Sequence, residues 1–92
     1  MNTIWKYVLE PQITLNMPAG ATILSVGTQG DDICLWARVD TDAPTEQRRF
    51  LVAGSGMPLA ESFTGARFIG TVQMVQASVN LVMHVLDRKS VV

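Results

Sequence analysis

The sequence of 92 residues has a single cysteine, Cys34. One cysteine excludes a disulfide framework within the chain and argues against a cysteine-based zinc site. There is also no apolar run long enough to span a membrane, and the opening residues 1–12 lack the apolar centre of a signal peptide. We therefore expect a cytoplasmic protein that has no membrane partner.

Charged side chains are scarce, at 16% of the residues with a net charge of −1, where an average domain has about 25%. A protein that neutralises several phosphates of duplex DNA normally carries a basic excess, so we do not expect duplex nucleic acid as a partner. A small anionic ligand needs only two or three local cations and stays open. The neutral surface is either solvated or used in subunit contacts, and in so small a chain we expect a homo-oligomer.

Histidine is equally scarce, because His84 is the only one. Nucleophilic catalysis normally needs a base within reach of a hydroxyl or thiol, together with a third group that orients the base. Nothing in the sequence pairs His84 with Cys34 or Ser55. We therefore expect no enzyme, no metal and no cofactor, and we interpret His84 as a structural or interface residue.

What the chain does have is repeated alternation of apolar and polar residues, bounded by turn residues, which is typical of strands. It predicts one β domain over residues 1–92: a small antiparallel sandwich or barrel of about six or seven short strands, with little or no helix. We expect 21–29 and 33–40 to form a hairpin, one helical turn around 59–62, and a frayed tail from 89 onward. The predicted strands cover residues 3–9, 12–16, 21–29, 33–40, 46–54, 66–76 and 80–87.

The last predicted strand is apolar on both faces, with Leu81, Met83 and Val85 on one and Val82 and Leu86 on the other. Burial on both faces would require either a central position in a sheet or an oligomer contact.

In the strand 33–40, the odd-numbered positions are apolar, and Trp36 and Arg38 share the opposite face. An arginine beside a tryptophan can clamp a phosphate or stack on a base, and it can equally form a cross-strand pair on a solvated sheet. Trp36 is either exposed at an interface or packed under the first strand with Trp5. Trp36, Arg38 and His84 are therefore our candidate interface residues.

The most unusual local feature is the glycine-rich segment Gly54, Ser55 and Gly56. Close glycines let backbone amides approach an anion, although the segment matches no established phosphate-binding motif, and a plain loop through positive-φ positions is the simpler interpretation. Arg48 and Arg49 precede it on a strand, where consecutive residues point to opposite faces. The candidate ligand site is therefore Gly54, Ser55 and Gly56 with Arg48 or Arg49.

Several short runs of the chain form a distinctive set: TIWKY, MPAGA-x-ILSV, CLWARVD, the G-x-G-x-P segment, and FIGTVQ followed by LVMHVLD. Together they resemble a family of small uncharacterised proteins encoded by tailed phages and prophages. The resemblance covers nearly the whole chain, and it implies an origin rather than an activity. It also implies a histidine after the second glycine of the loop, where this chain has Met57, and that departure weakens the case for histidine chemistry at the loop.

A phage origin would place the protein in the host cytoplasm. Together with the missing catalytic set, it suggests a non-enzymatic binding protein that acts against host defence. Such a protein would bind a host defence protein or sequester a small, nucleotide-like anionic signal. The alternative is a structural or assembly accessory protein of the virion.

Overall fold

A computed structural model describes residues 1–59 and 61–89. These ranges contain seven antiparallel strands and one short 3-10 helix, η1, and they contain no α-helix and no helix able to cross a membrane. The strands form a three-stranded sheet in the order β1-β4-β3 and a four-stranded sheet in the order β2-β5-β7-β6. The elements are β1 (Asn2–Leu9), β2 (Gln12–Pro18), β3 (Thr22–Gln29), β4 (Asp32–Asp40), β5 (Thr45–Gly54), η1 (Glu61–Phe63), β6 (Arg67–Gln76) and β7 (Val79–Lys89).

The inner faces of both sheets supply one apolar core, which makes the fold a β-sandwich, as predicted. Alternate residues of each strand point inward, so that Leu35 and Val39 from one sheet and Phe50 and Val85 from the other have almost no exposed surface. Burying each such side chain contributes about 1.5–3 kcal/mol. The predicted strands and the β3–β4 hairpin are confirmed, with strand ends that differ by one or two residues.

The last strand, β7, lies between β5 and β6. This central position explains why it is apolar on both faces: Val85 points into the core, and Leu86 packs on the opposite face. The strand also continues to Lys89, so the predicted frayed tail is wrong at that residue, and residues 90–92 lie outside the described part of the chain.

The segment between β5 and β6 folds back over the outer face of the four-stranded sheet. Phe63 is its anchor, buried against Leu51, Ala53 and Leu86 in a second small cluster. The helical turn predicted around 59–62 occurs as η1 at Glu61–Phe63. This shift lets Phe63 reach the sheet, and the chain leaves η1 with the Ala66 amide donating to the Phe63 carbonyl at 3.0 Å.

Trp36 lies on the outer face of the three-stranded sheet, half-buried, with its ring against Gly27. It stands opposite Lys6, whereas Trp5 stands opposite Ala37 on the other face. The suggestion that Trp36 packs with Trp5 is therefore wrong, because adjacent positions of a strand point to opposite sides.

Candidate functional site

A tight turn over Gly54–Met57, here called the glycine turn, ends β5. The Met57 amide donates to the Gly54 carbonyl at 3.1 Å, and Gly56 has a φ of 83°. A glycine with positive φ at the third position is typical of a type II turn. The Ser55 amide donates to the Val82 carbonyl at 3.1 Å, which holds the turn against β7.

The turn brings Ser55 to the only histidine of the chain. His84 lies on the outer face of β7, opposite Ala53 of β5 and Thr71 of β6. Its Nε2 is 2.7 Å from Ser55 Oγ, and its Nδ1 is 3.0 Å from Thr71 Oγ1. Both imidazole nitrogens are thus engaged by hydroxyl groups, in a row that we call the Ser–His–Thr chain.

The Ser–His–Thr chain was not predicted from the sequence. Ser55 and His84 are 29 residues apart, and Thr71 and His84 are 13 apart. Their side chains come together through the register of β5 and β6 against β7, and no local motif predicts that register. A signal was nevertheless present, since a serine at a strand end and a threonine and a histidine within strands can share one face of a sheet.

A groove of about 350 Å³ lies beside the Ser–His–Thr chain, between the glycine turn and β6. Ser55 and His84 provide its polar side, and no lysine or arginine of the described residues lines it. Two of its apolar side chains are strongly exposed, Met57 at 63% and Phe68 at 57%. The apolar wall is formed by Met57, Leu59, Phe68 and Leu86.

A second hollow of about 410 Å³, the edge hollow, lies along Asn80–Met83 on the other side of Ser55 and Met57. It exists because β5 stops pairing with β7 at Gly54 and Met83. Among the described residues, no strand pairs with Val79–Val82 on that side. The edge of β7 is open there, apart from the Val82 carbonyl that accepts from Ser55.

Neither candidate arginine lines the groove. Arg48 points into the core, where it is 6% exposed, pairs with Asp87 through Nη2 and donates from Nη1 to the Ala21 carbonyl at 2.6 Å. Arg49 points outward, as expected for the strand position next to Arg48. Its guanidinium lies 5.4 Å from the centre of the Phe63 ring. The predicted grouping of either arginine with Gly54, Ser55 and Gly56 is therefore not present.

Arg48 and Asp87 instead line a separate polar hollow of about 200 Å³, together with Arg67 and Phe68. The buried atoms Arg48 Nε and Asp87 Oδ1 have no hydrogen-bond partner among the described residues. The hydroxyl of Tyr7 is also buried without a partner, and its burial raises the pKa of this phenol, an effect that the charge of Arg48 partly offsets.

Of the three candidate interface residues, His84 lines the groove, whereas Trp36 and Arg38 do not. Trp36 and Arg38 are on the outer face of the three-stranded sheet, and His84 is on the outer face of the other sheet. These two faces look in opposite directions, so one partner molecule bound flat to either face does not contact all three residues. Ile4, 58% exposed, and Val8 join Trp36 and Arg38 on their face.

The fold is a small two-sheet β-sandwich with a largely apolar groove beside its glycine turn. The chain belongs to the family described as Domain of unknown function (DUF7352), whose model matches residues 1–91. No curated protein and no solved structure matches the chain. The resemblance to an uncharacterised family is thus confirmed, and an origin in phages stays a prediction.

Proposed function

We propose that this protein is a phage-type binding protein that acts against host defence by binding a defence protein. The observation that carries the proposal is the exposed groove beside the glycine turn, which continues past Ser55 into the edge hollow. Ligand sites are concave and mostly apolar, with a few polar groups that fix orientation. The groove has this composition, with Ser55 and His84 as its polar groups.

An extended protein segment fits this surface better than a compact ligand. The open edge of Val79–Val82 offers backbone donors and acceptors that an added strand can pair with, and alternate side chains of such a strand would enter the two hollows. Residues 68–86 contain no aspartate, glutamate, lysine or arginine. The segment that binds should therefore be apolar and uncharged.

The same lining argues against the nucleotide-like signal as the ligand of this groove. Phosphate groups are bound by arginine, lysine or clustered amides, and the described residues of the groove include neither cation. The proposal therefore commits to a protein partner.

The test compares the chain with a variant whose groove carries a charge, Phe68→Glu. A partner captured by the unmodified protein from host extract and then purified should lose binding to Phe68→Glu at least 100-fold. The matched control is Thr28→Glu, which places the same charge at an exposed position of the other sheet. Protection of Val79–Val82 from hydrogen exchange in the complex should locate the added strand.

Calorimetry with cyclic and linear nucleotides tests the alternative ligand. Saturable heat from any of them, abolished by Phe68→Glu, would show that the groove binds a nucleotide and not a protein segment. Loss of partner binding in a further variant, Ile4→Glu, with binding intact in Phe68→Glu, would place the interface on the other sheet.

A role as a virion or assembly component is the second candidate. It is supported by the outer face of the three-stranded sheet, where the apolar side chains of Ile4, Val8 and Trp36 lie beside Lys6 and Arg38, away from the groove. Mass spectrometry of purified particles tests it, because a structural component is present in every virion at a fixed ratio to the capsid protein.

A further inference from the structure

We propose that the Ser–His–Thr chain makes Ser55 a nucleophile towards uncharged esters that place an apolar acyl group in the groove. This activity goes beyond the proposed binding of a protein partner. It rests on three side chains that the fold brings together beside the groove. Ser55 provides the hydroxyl, His84 is the base, and Thr71 orients the base.

The base is within reach of the nucleophile. The separation of 2.7 Å between Ser55 Oγ and His84 Nε2 lies in the range of about 2.6–3.2 Å that proton transfer requires. His84 is half-buried and packs near Phe68, with 6.3 Å between the ring centres. The imidazole is thus held by β6 and by the glycine turn, while the hydroxyl of Ser55 stays exposed to an incoming ester.

Thr71 is the positioning residue. When its Oγ1 accepts the proton of Nδ1 across 3.0 Å, Nε2 is left as the free base that faces Ser55. A hydroxyl here takes the place that a carboxylate has in the usual triads. It holds the ring without adding a negative charge, so the reaction should be slower than that of a triad with an acid.

The glycine turn supplies a donor for the oxyanion. In a type II turn the central amide, here that of Gly56, is not used by the turn's own hydrogen bond. It belongs to the residue that follows the nucleophile, and no described residue accepts from it. One backbone donor of this kind contributes about 100-fold or more to acyl transfer.

The step balances without any further reactant. Ser55 Oγ forms a bond to the carbonyl carbon while its proton moves to His84 Nε2, and the bond to the leaving alcohol oxygen breaks as that oxygen takes the proton from Nε2. Water then attacks the acyl-serine, gives its proton to Nε2, and releases a carboxylic acid as Oγ regains a proton. Nothing is oxidised or reduced.

The experiment treats the full chain with p-nitrophenyl butyrate and follows both nitrophenolate release and the mass of the protein. We expect one butyryl group per chain, located on Ser55 by peptide mapping. Ser55→Ala should abolish the adduct, and His84→Asn should slow its formation about 100-fold. The matched control Ser25→Ala, on the other sheet, should react like the unmodified protein.

Thr71 separates catalysis from mere structure. Thr71→Val should slow acylation at least 10-fold. Thr71→Ser keeps the hydroxyl and should restore the rate. The two variants should have similar melting temperatures. Acylation no faster than in Ser55→Ala, or a butyryl group on another residue, would overturn the proposal. Loss of acylation in Ser55→Ala with partner binding intact would show that this activity and the proposed function are separate.

Discussion

At the scale of single residues, the buried pair of Arg48 and Asp87 carries the largest electrostatic consequence. Both side chains are at most 7% exposed, and each has one charged atom without a hydrogen-bond partner among the described residues. A buried pair of this kind is not a large gain in itself, because removing two charges from water costs about as much as their attraction returns. Its effect appears when one member is removed.

Asp87→Ala should therefore lower the free energy of unfolding by about 3–5 kcal/mol, since it leaves the Arg48 guanidinium buried without its counter-charge. Urea unfolding measures the change. The double variant Arg48→Met with Asp87→Leu is the control, and it should be as stable as the unmodified protein or more so. A loss below about 1 kcal/mol in Asp87→Ala would mean that water or another residue replaces the carboxylate.

Tyr7 is the only tyrosine of the chain, so its ionisation can be followed directly by absorbance. Burial raises the pKa of this phenol above its ordinary value of 10.0, so the folded protein should release the proton at a higher pH than the unfolded chain. The contribution of the protonated phenol to the stability of the fold is therefore complete below pH 10. It is lost as the pH rises through the pKa of Tyr7 in the folded protein. Spectrophotometric titration of folded and urea-unfolded protein measures the difference.

The Tyr7→Phe variant checks the same contact. It removes a buried hydroxyl that has no described partner, so the free energy of unfolding should stay equal or rise by about 1 kcal/mol. The decline of stability above pH 10 should also become shallower. A clear loss of stability at neutral pH would indicate that the hydroxyl has a partner in solution.

At the scale of strands, β3 and β6 approach each other where the two sheets meet. A Cβ atom at Gly70 would lie 2.7 Å from Val26 Cγ2, closer than side chains tolerate. Both strands are irregular there, with register shifts at residues 23–25 and 68–70. A glycine in a strand is typical of such a bulge and close approach.

Gly70→Ala should therefore separate the strands and cost about 1–3 kcal/mol of stability, as overpacking does in a filled core. Gly65→Ala is the matched control, because nothing lies within 4 Å of the added carbon and its φ is not positive. Adding Val26→Ala to Gly70→Ala should restore most of the loss. Equal stabilities of the two single variants, measured by thermal unfolding, would contradict the close contact.

The elements were largely predictable from the sequence, and the site was not. Alternation along 33–40 and the turn residues around Gly30 identify the β3–β4 hairpin, because both signals are local. Alternation also separates Arg48 from Arg49, but it does not tell which one faces the core. The meeting of Ser55 with His84 depends on pairing between distant strands, and no short-range pattern encodes that.

At the scale of the whole molecule, two surfaces with exposed apolar side chains point in opposite directions. The groove is on the outer face of the four-stranded sheet, and Ile4, Val8 and Trp36 are on that of the three-stranded sheet. A chain of 10.0 kDa would gain stability if a second copy covered such a surface. We propose that the expected homo-oligomer forms through the second surface, which would leave the groove free for a partner.

Light scattering should accordingly give a mass of at least two chains, and Ile4→Lys with Val8→Lys should reduce it to one, because a lysine pair on a two-fold contact repels itself. Met57→Ser, which changes the groove and the edge hollow but not this surface, should leave the mass unchanged. A single-chain mass for the unmodified protein at high concentration would refute the oligomer.

The central position of β7 has a consequence for how the protein is made. The ribosome synthesises β7 after both of its neighbours, yet β5 and β6 pair with it rather than with each other. The three-stranded sheet needs only residues 2–40, whereas the larger sheet stays incomplete until β7 has been made. The sandwich therefore closes late in synthesis, and the groove, with its serine and histidine, forms only after β7 is available to pair.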